Sequence, residues 1–460
     1  MLDRISSTKS IANPAATAGA AAAFAEVESE WLATDRSIQF TNYLSNFFHA
    51  RPDLNCEDLD NPNCEVTINC GQASSPNAPV SAPAGYVIIN SLMTLHTLFQ
   101  NLWDGINDGL SLVQGEVGNF VSELSPITQD IAEQRADKLA LDGVQLALFL
   151  GLAPTFHSAI GALQWARQNP NVVAAGFDIS YGSIGTAMAF AKDAMESLSP
   201  LPVQNSIDSY IATTAERWLD ALSGAAELLF NDPAGIRDAI DKGALFAVDL
   251  DQNPSDVIDT MKKTLFASAL HAVWTSGDGL SYPVIATNDG LEQDGTGCES
   301  WDPTTFEKPD EAWIVNFQDD LVSSARICTG DFAFWMLAVG HDEPQSSALG
   351  GFVPTKLLFN ELPGYDTLDG TRWGGLTAEA AANNAINSWI ANDHKNGWST
   401  SLSTDDASGL PQPADIGTFI TGDLGQTGGV VTIPICHFSD IAANIKGDPA
   451  TNPNYPCPPP

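Results

Sequence analysis

Between Ile88 and Leu124, apolar residues recur at alternating spacings of three and four, through Leu95, Phe99, Ile106, Val113, Val117 and Phe120. That period places them on one face of an amphipathic helix. An unbroken helix there would run about 55 Å at 1.5 Å per residue. Gly105, Gly109, Gly115 and Gly118 fall inside it. Each costs roughly 1 kcal/mol relative to alanine, and each permits either a break or a close approach by a neighbouring helix.

The same pattern predicts further helices. Phe24, Val27 and Trp31 begin a face that Phe40, Tyr43, Leu44, Phe47 and Phe48 continue until Pro52. The stretch 52–85 is rich in Pro and Asn, holds three Cys, and reads as an irregular loop tied by a disulfide. Ile207, Ile211, Ala215, Trp218, Leu222 and Leu229 mark a helix ended by Asn231-Asp232-Pro233, and Val257 to Trp274 marks another. Beyond Gly279 the texture changes. Strands are predicted at Pro283 to Ala286, at Ala312 to Phe317, and over Ser324 to Val339 folded about Thr329-Gly330-Asp331. A helix returns at Thr377 to Asp393, with Thr377 as N-cap, Leu376 as staple and Asn396-Gly397 as stop. A last strand is expected at Val430 to Cys436, followed by Pro-rich coil.

One segment bears on membrane contact. Gly143 to Ala166 carries no formal charge over 24 residues, and a membrane helix needs about 20 apolar ones. Pro154 divides it into two short halves, and a proline removes a helix hydrogen bond. The small-residue segment Val172 to Ala191 offers a partner. The expectation is an apolar hairpin over 143–191, buried in a helical core.

Composition narrows the setting. The chain has 460 residues, 57 Asp plus Glu and only 19 Lys plus Arg, giving a net charge of -38. Its sequence pI is about 4.1. Such a surface repels phosphate backbones and disfavours nucleic-acid partners. Seven cysteines, at 56, 64, 70, 298, 328, 436 and 457, lie in loops or at strand edges rather than on apolar helix faces. They read as disulfide partners in an oxidising compartment, with one left over. No Asn-X-Ser/Thr sequon occurs, and the residues up to Ala25 make a poor secretion signal, so any leader is expected to have been removed.

No catalytic motif survives inspection. Gly182-Ser183-Ile184-Gly185 lacks the first glycine of a nucleophile elbow. The glycine-rich loop of Gly422, Gly425, Gly428 and Gly429 lacks the Lys-Ser/Thr of a phosphate loop. Asp249, Asp251 and Asn253 begin like a calcium loop, but Pro254 stands where a glycine must turn and Thr260 where a bidentate Glu must close the shell. His341-Asp342-Glu343 and Asp393-His394 read as solvated polar loops, because neighbours in sequence rarely converge on one ion. Tyr455-Pro456-Cys457-Pro458 reads as a terminal disulfide. Catalytic residues therefore stay unassigned, and neither a cofactor nor a metal site is expected. Paired acids such as Asp319-Asp320 could serve a glycosidase, which needs two roughly 5 to 10 Å apart, but 57 acids make that pairing unselective.

The C-terminal third carries a more particular pattern. It comprises Asp369-Gly-Thr-Arg-Trp-Gly-Gly-Leu-Thr377, Asn384-Ala-Ile-Asn-Ser-Trp389, Lys395-Asn-Gly397, Ile433-Pro-Ile-Cys436 and the final Pro-Cys-Pro. This layout resembles uncharacterised secreted proteins of filamentous fungi over Gly85 to Pro458. The resemblance implies location and architecture and transfers no functional residue.

The fold expected is mainly α. It consists of a long-helix bundle with a buried apolar hairpin, followed by a smaller disulfide-braced α+β portion. The domains expected are 1–279, helical, with the loop 52–85 and the hairpin 143–191, and 280–460, α+β, with Cys298, Cys328, Cys436 and Cys457. The leading function is a secreted acidic protein acting by interaction with a protein, glycan or membrane, in the manner of a toxin or effector. The alternative is an extracellular glycan hydrolase with a carboxylate pair in an interdomain cleft, lined by Trp301, Trp313, Trp335 or Trp373.

Overall fold

A computed structural model describes residues 19–60, 63–64, 83–125, 207–231, 233, 236–237, 254–275, 282–287, 298, 313–317, 321–329, 332–342, 355–396, 424–426, 430–447, 452 and 454–459. The 143–191 hairpin, the 249–253 loop, Asp319-Asp320, Ser183 and Trp301 lie outside these residues.

Helices α1 (Ala20–Leu32) and α2 (Phe40–Phe47) split the single apolar face expected of the N-terminal segment. The break is built locally. Arg36 takes a positive φ of 56°, the Asp35 carboxylate accepts from Ser37 N–H, and Trp31 Nε1 donates to the Ile38 carbonyl at 2.9 Å. The two faces then close on each other, with the Phe40 ring 5.5 Å from Phe24 and 5.2 Å from Trp31.

Helix α3 (Pro83–Leu124) runs unbroken for 42 residues, about 60 Å at the usual rise. Its periodic stripe is buried at Ile88, Leu92, Leu95, Phe99, Ile106, Val113, Phe120 and Leu124. None of the four glycines breaks it. Helices α4 (Ile207–Asn231) and α5 (Pro254–Thr275) pack along it. Gly109 marks the α3–α5 crossing, where a Cβ would stand 3.0 Å from Met261 Cβ and 3.3 Å from Lys262 N.

Beyond α5, the described residues build a six-stranded mixed sheet. Its strands are β1 (Tyr282–Thr287), β2 (Trp313–Phe317), β3 (Arg326–Thr329), β4 (Phe332–Asp342), β5 (Thr355–Asn360) and β6 (Ile435–His437), in the order β2-β5-β4-β1-β6 with β3 on β4. The expected hairpin forms with Thr329 opposite Phe332. Short helix α6 (Leu321–Ser324) precedes β3, α7 (Ala378–Ala391) follows β5, and α8 (Phe438–Asn444) follows β6.

Alternation along β4 sends its residues into two cores, as the two-residue period of a strand requires. Phe334, Met336 and Ala338 join the helices in one large cluster, while Ala333, Trp335, Leu337 and Val339 pack with Phe359 and with Phe438 of α8.

The expectation of a long-helix bundle with a small appended portion is therefore corrected. Long helices are present, but they share their core with one face of a sheet that is itself buried on both sides. Two of its pairings, β1 with β6 and β2 with β5, are parallel and join residues far apart in sequence. Periodicity cannot see such pairings, because each strand is short and its partner is non-local. The extended run from Val430 also differs from expectation, since only Ile435–His437 is strand. The buried Asn384 amide substitutes for a neighbouring strand there. Its Oδ1 accepts from both Val430 N and Val431 N at 2.9 Å, and its Nδ2 donates to the Leu424 carbonyl at 3.0 Å.

Three disulfides, Cys56–Cys64, Cys298–Cys328 and Cys436–Cys457, use six of the seven cysteines. Cys70 lies outside the described residues. Among the described residues, no helix is long and apolar enough to cross a membrane.

A candidate functional site on the long helix pair

A cleft of about 570 Å³ opens where the 369–377 segment lies over α3 and α5. That segment is a closed loop. Asp369 and Thr377 pair as an isolated bridge, Gly370 N–H donates to the Leu376 carbonyl, and Ala378 N–H donates to the Leu368 carbonyl at 2.9 Å. Thr377 then caps α7 as expected, its hydroxyl accepting from Ala380 N at 3.0 Å. A cap of this kind contributes about 1 kcal/mol. Leu376 is fully buried beneath it.

The loop tip is held rigidly against the helices. Trp373 is 3% exposed although its φ is 53°, a region a bulky residue occupies only when its surroundings compel it. Its ring sits 5.1 Å from Phe120 of α3 and 5.4 Å from Phe266 of α5, and its Nε1 donates to Thr367 Oγ1 at 3.2 Å. Gly374, at φ 70°, presses on α5 so closely that a Cβ would lie 2.6 Å from Lys263 N. Only glycine meets both demands at that position. Behind the tip, Tyr365 is mostly buried, and that burial, with Glu361 and Glu379 nearby, pushes its hydroxyl up to about 12.

Charged groups line the opening. Lys262 Nζ of α5 reaches Glu116 Oε1 of α3 at 2.6 Å. Arg372 of the loop tip pairs with Glu123 of α3 and lies 5.2 Å over the Trp373 ring. Asn119, Asp259 and Thr371 complete the polar wall, and the Asp369 carboxylate fixes Thr371 by accepting from its N–H and its hydroxyl. These two contacts, hydroxyl first, hold the Asp369 carboxyl below its ordinary range. The arrangement offers fixed hydrogen-bond donors and acceptors. Of its two lining carboxylates, Glu116 is already engaged by an ammonium.

The sequence-stated candidates do not converge on this cleft, apart from Trp373. Trp335 is fully buried in the sheet, and Trp373 is too buried to serve as a stacking platform. Asp393 and His394 follow the end of α7 with φ of 54° and 61°, and the His394 ring packs 4.4 Å from Trp389. His341 and Asp342 end β4. Gly425 lies in a single 3-10 turn against Ala380, and Gly422, Gly428 and Gly429 lie outside the described residues. Cys457 is disulfide-bonded. Among the described residues, no three His, Cys, Asp or Glu side chains gather as they would around a metal.

Sequence reading missed the cleft because its residues come from three separated segments. Two signals were present: Trp373-Gly374-Gly375, and the Lys262-Lys263 pair in a chain with only 19 cations.

No family model matches the chain, and no solved structure matches it. It is similar to a curated protein of Penicillium expansum described as "Probable chitinase LysM18", at 23% identity over 455 residues. That match covers 91% of this chain and 30% of the relative, so the chain spans less than a third of the length of the protein it resembles. Together, the three disulfides and a fungal relative point to an extracellular protein.

Proposed function

We propose that this chain is a secreted fungal protein that acts by interaction, holding a partner in the manner of a toxin or effector without turning over a substrate. One observation carries the reading. The described cleft presents two ion pairs fixed across α3, α5 and the loop, Lys262 with Glu116 and Arg372 with Glu123, with Asp259 exposed beside them. Paired, rigid groups suit recognition, whereas general acid catalysis needs a carboxyl free to give up its proton. A glycan is the partner best supported, given what the relative's name says that relative acts on. Release of the 143–191 segment onto a membrane rests on residues outside those described and is not the reading favoured.

A second reading has its own support. Glu116 and Asp259 stand in one cleft, and a glycosidase of the usual kind works with two carboxylates. Incubating the purified chain with colloidal chitin and with a soluble N-acetylglucosamine hexamer separates the two readings. We expect the protein to sediment with chitin and the hexamer to keep its mass. Shortening of the hexamer that stops in Glu116→Gln or Asp259→Asn would establish hydrolysis instead.

A further inference from the structure

We infer that the α3–α5 cleft binds a neutral sugar unit of an oligosaccharide, recognised by hydrogen bonds rather than by ring stacking. The inference rests on the reading of the chain as a binding protein and gives that reading a ligand class and a location.

Charge comes first. The titratable groups lining the cleft are Glu116, Asp259, Lys262 and Arg372, two of each sign, so the lining is formally neutral in a chain of net charge -38. An anion entering there would meet cations whose charge is already engaged by Glu116 and Glu123, within a strongly negative molecule. A cation would meet Asp259 alone, and to gain a second carboxylate it would have to displace Lys262 from Glu116 or Arg372 from Glu123. A neutral polyhydroxylated ligand needs neither exchange, because each hydroxyl both donates and accepts. It can use Asn119, Thr371 and the outward faces of the two ion pairs together.

Shape and rigidity agree with this. The volume falls within the roughly 300 to 1,000 Å³ of small-ligand pockets. The donors and acceptors sit on two long helices and on a loop tip fastened by Trp373 and Gly374, so little ordering remains to be done on binding. The Arg372 guanidinium covers the indole of Trp373, and the indole is buried. A sugar therefore meets polar groups at this wall and not an aromatic face.

Asn119 gives a clean test, since its side chain is exposed at the cleft and belongs to neither ion pair. The wild-type chain, Asn119→Trp to fill the cleft and Asn119→Ala to remove one hydrogen-bonding group are titrated calorimetrically. The probes are N-acetylglucosamine trimer, N-acetylneuraminic acid and inorganic phosphate. We expect the trimer alone to bind, Asn119→Trp to weaken it at least tenfold, and Asn119→Ala to weaken it severalfold with unchanged melting temperature. Should Asn119→Trp fail to fold, Asn119→Ala decides alone. Tighter binding of phosphate or of the acidic sugar, no binding of the trimer, or unchanged trimer affinity in a folded variant overturns the inference. Retention on chitin by a variant that has lost nothing would reject the cleft and leave the binding reading standing. Shortening of the trimer would reject the binding reading itself.

Discussion

Single residues show how little room the fold leaves for error. Glu57 is 7% exposed beside the Cys56–Cys64 disulfide. Its carboxylate accepts from Thr41 Oγ1 at 3.1 Å. Burial dominates this contact and raises the Glu57 carboxyl above its ordinary value, with Asp58 adding to the rise. A raised acid stabilises the folded state only while protonated. That contribution is complete below the ordinary glutamate value and is lost as pH climbs through the raised folded value. We therefore expect Glu57→Gln to raise the melting temperature at pH 7 and to make no difference near pH 3. A fall at pH 7 would show that the charged form is the one the site favours.

The elements divide into those that periodicity reveals and those it does not. Helix α3 is legible because its length buries a stripe repeated over many turns, so each misplaced residue is outvoted by its neighbours. The Thr377 cap and the β3–β4 hairpin are legible because both are local. Strand β5 is not, and β6 is legible only as the end of the expected Val430 to Cys436 run, since one is six residues and the other three, and each completes a parallel pairing with a distant strand. The glycines of α3 carry a distinction that the sequence leaves open, because the choice between close approach and break depends on the facing helix. Gly109 meets Met261 and Lys262, whereas nothing lies within 4 Å of a Cβ built at Gly115 or Gly118. Gly109→Ala should destabilise by about 1 to 3 kcal/mol through overpacking, and Gly115→Ala should stabilise by up to about 1 kcal/mol. Chemical denaturation of the two variants reads both signs. Equal effects would mean that the crossing is not at Gly109.

At the scale of the whole molecule, helices and sheet are joined through one core, and the 361–377 segment crosses the helix pair on its way from β5 to α7. Gly364 backs onto the Glu123 carbonyl, Trp274 Nε1 donates to the Pro363 carbonyl at 3.0 Å, and Trp373 fills the gap between Phe120 and Phe266. That crossing creates the cleft. The motif Asp369 to Thr377 was conspicuous in the sequence, but its meaning required α3 and α5, both far upstream, to be laid beneath it. The most direct test of a binding site there is amide hydrogen exchange of the intact chain with and without N-acetylglucosamine trimer at saturating concentration. We expect added protection confined to Thr371–Gly375 and to the facing turns of α3 and α5 around Asn119 and Lys262. Protection absent there, or appearing only on other surfaces, would contradict it.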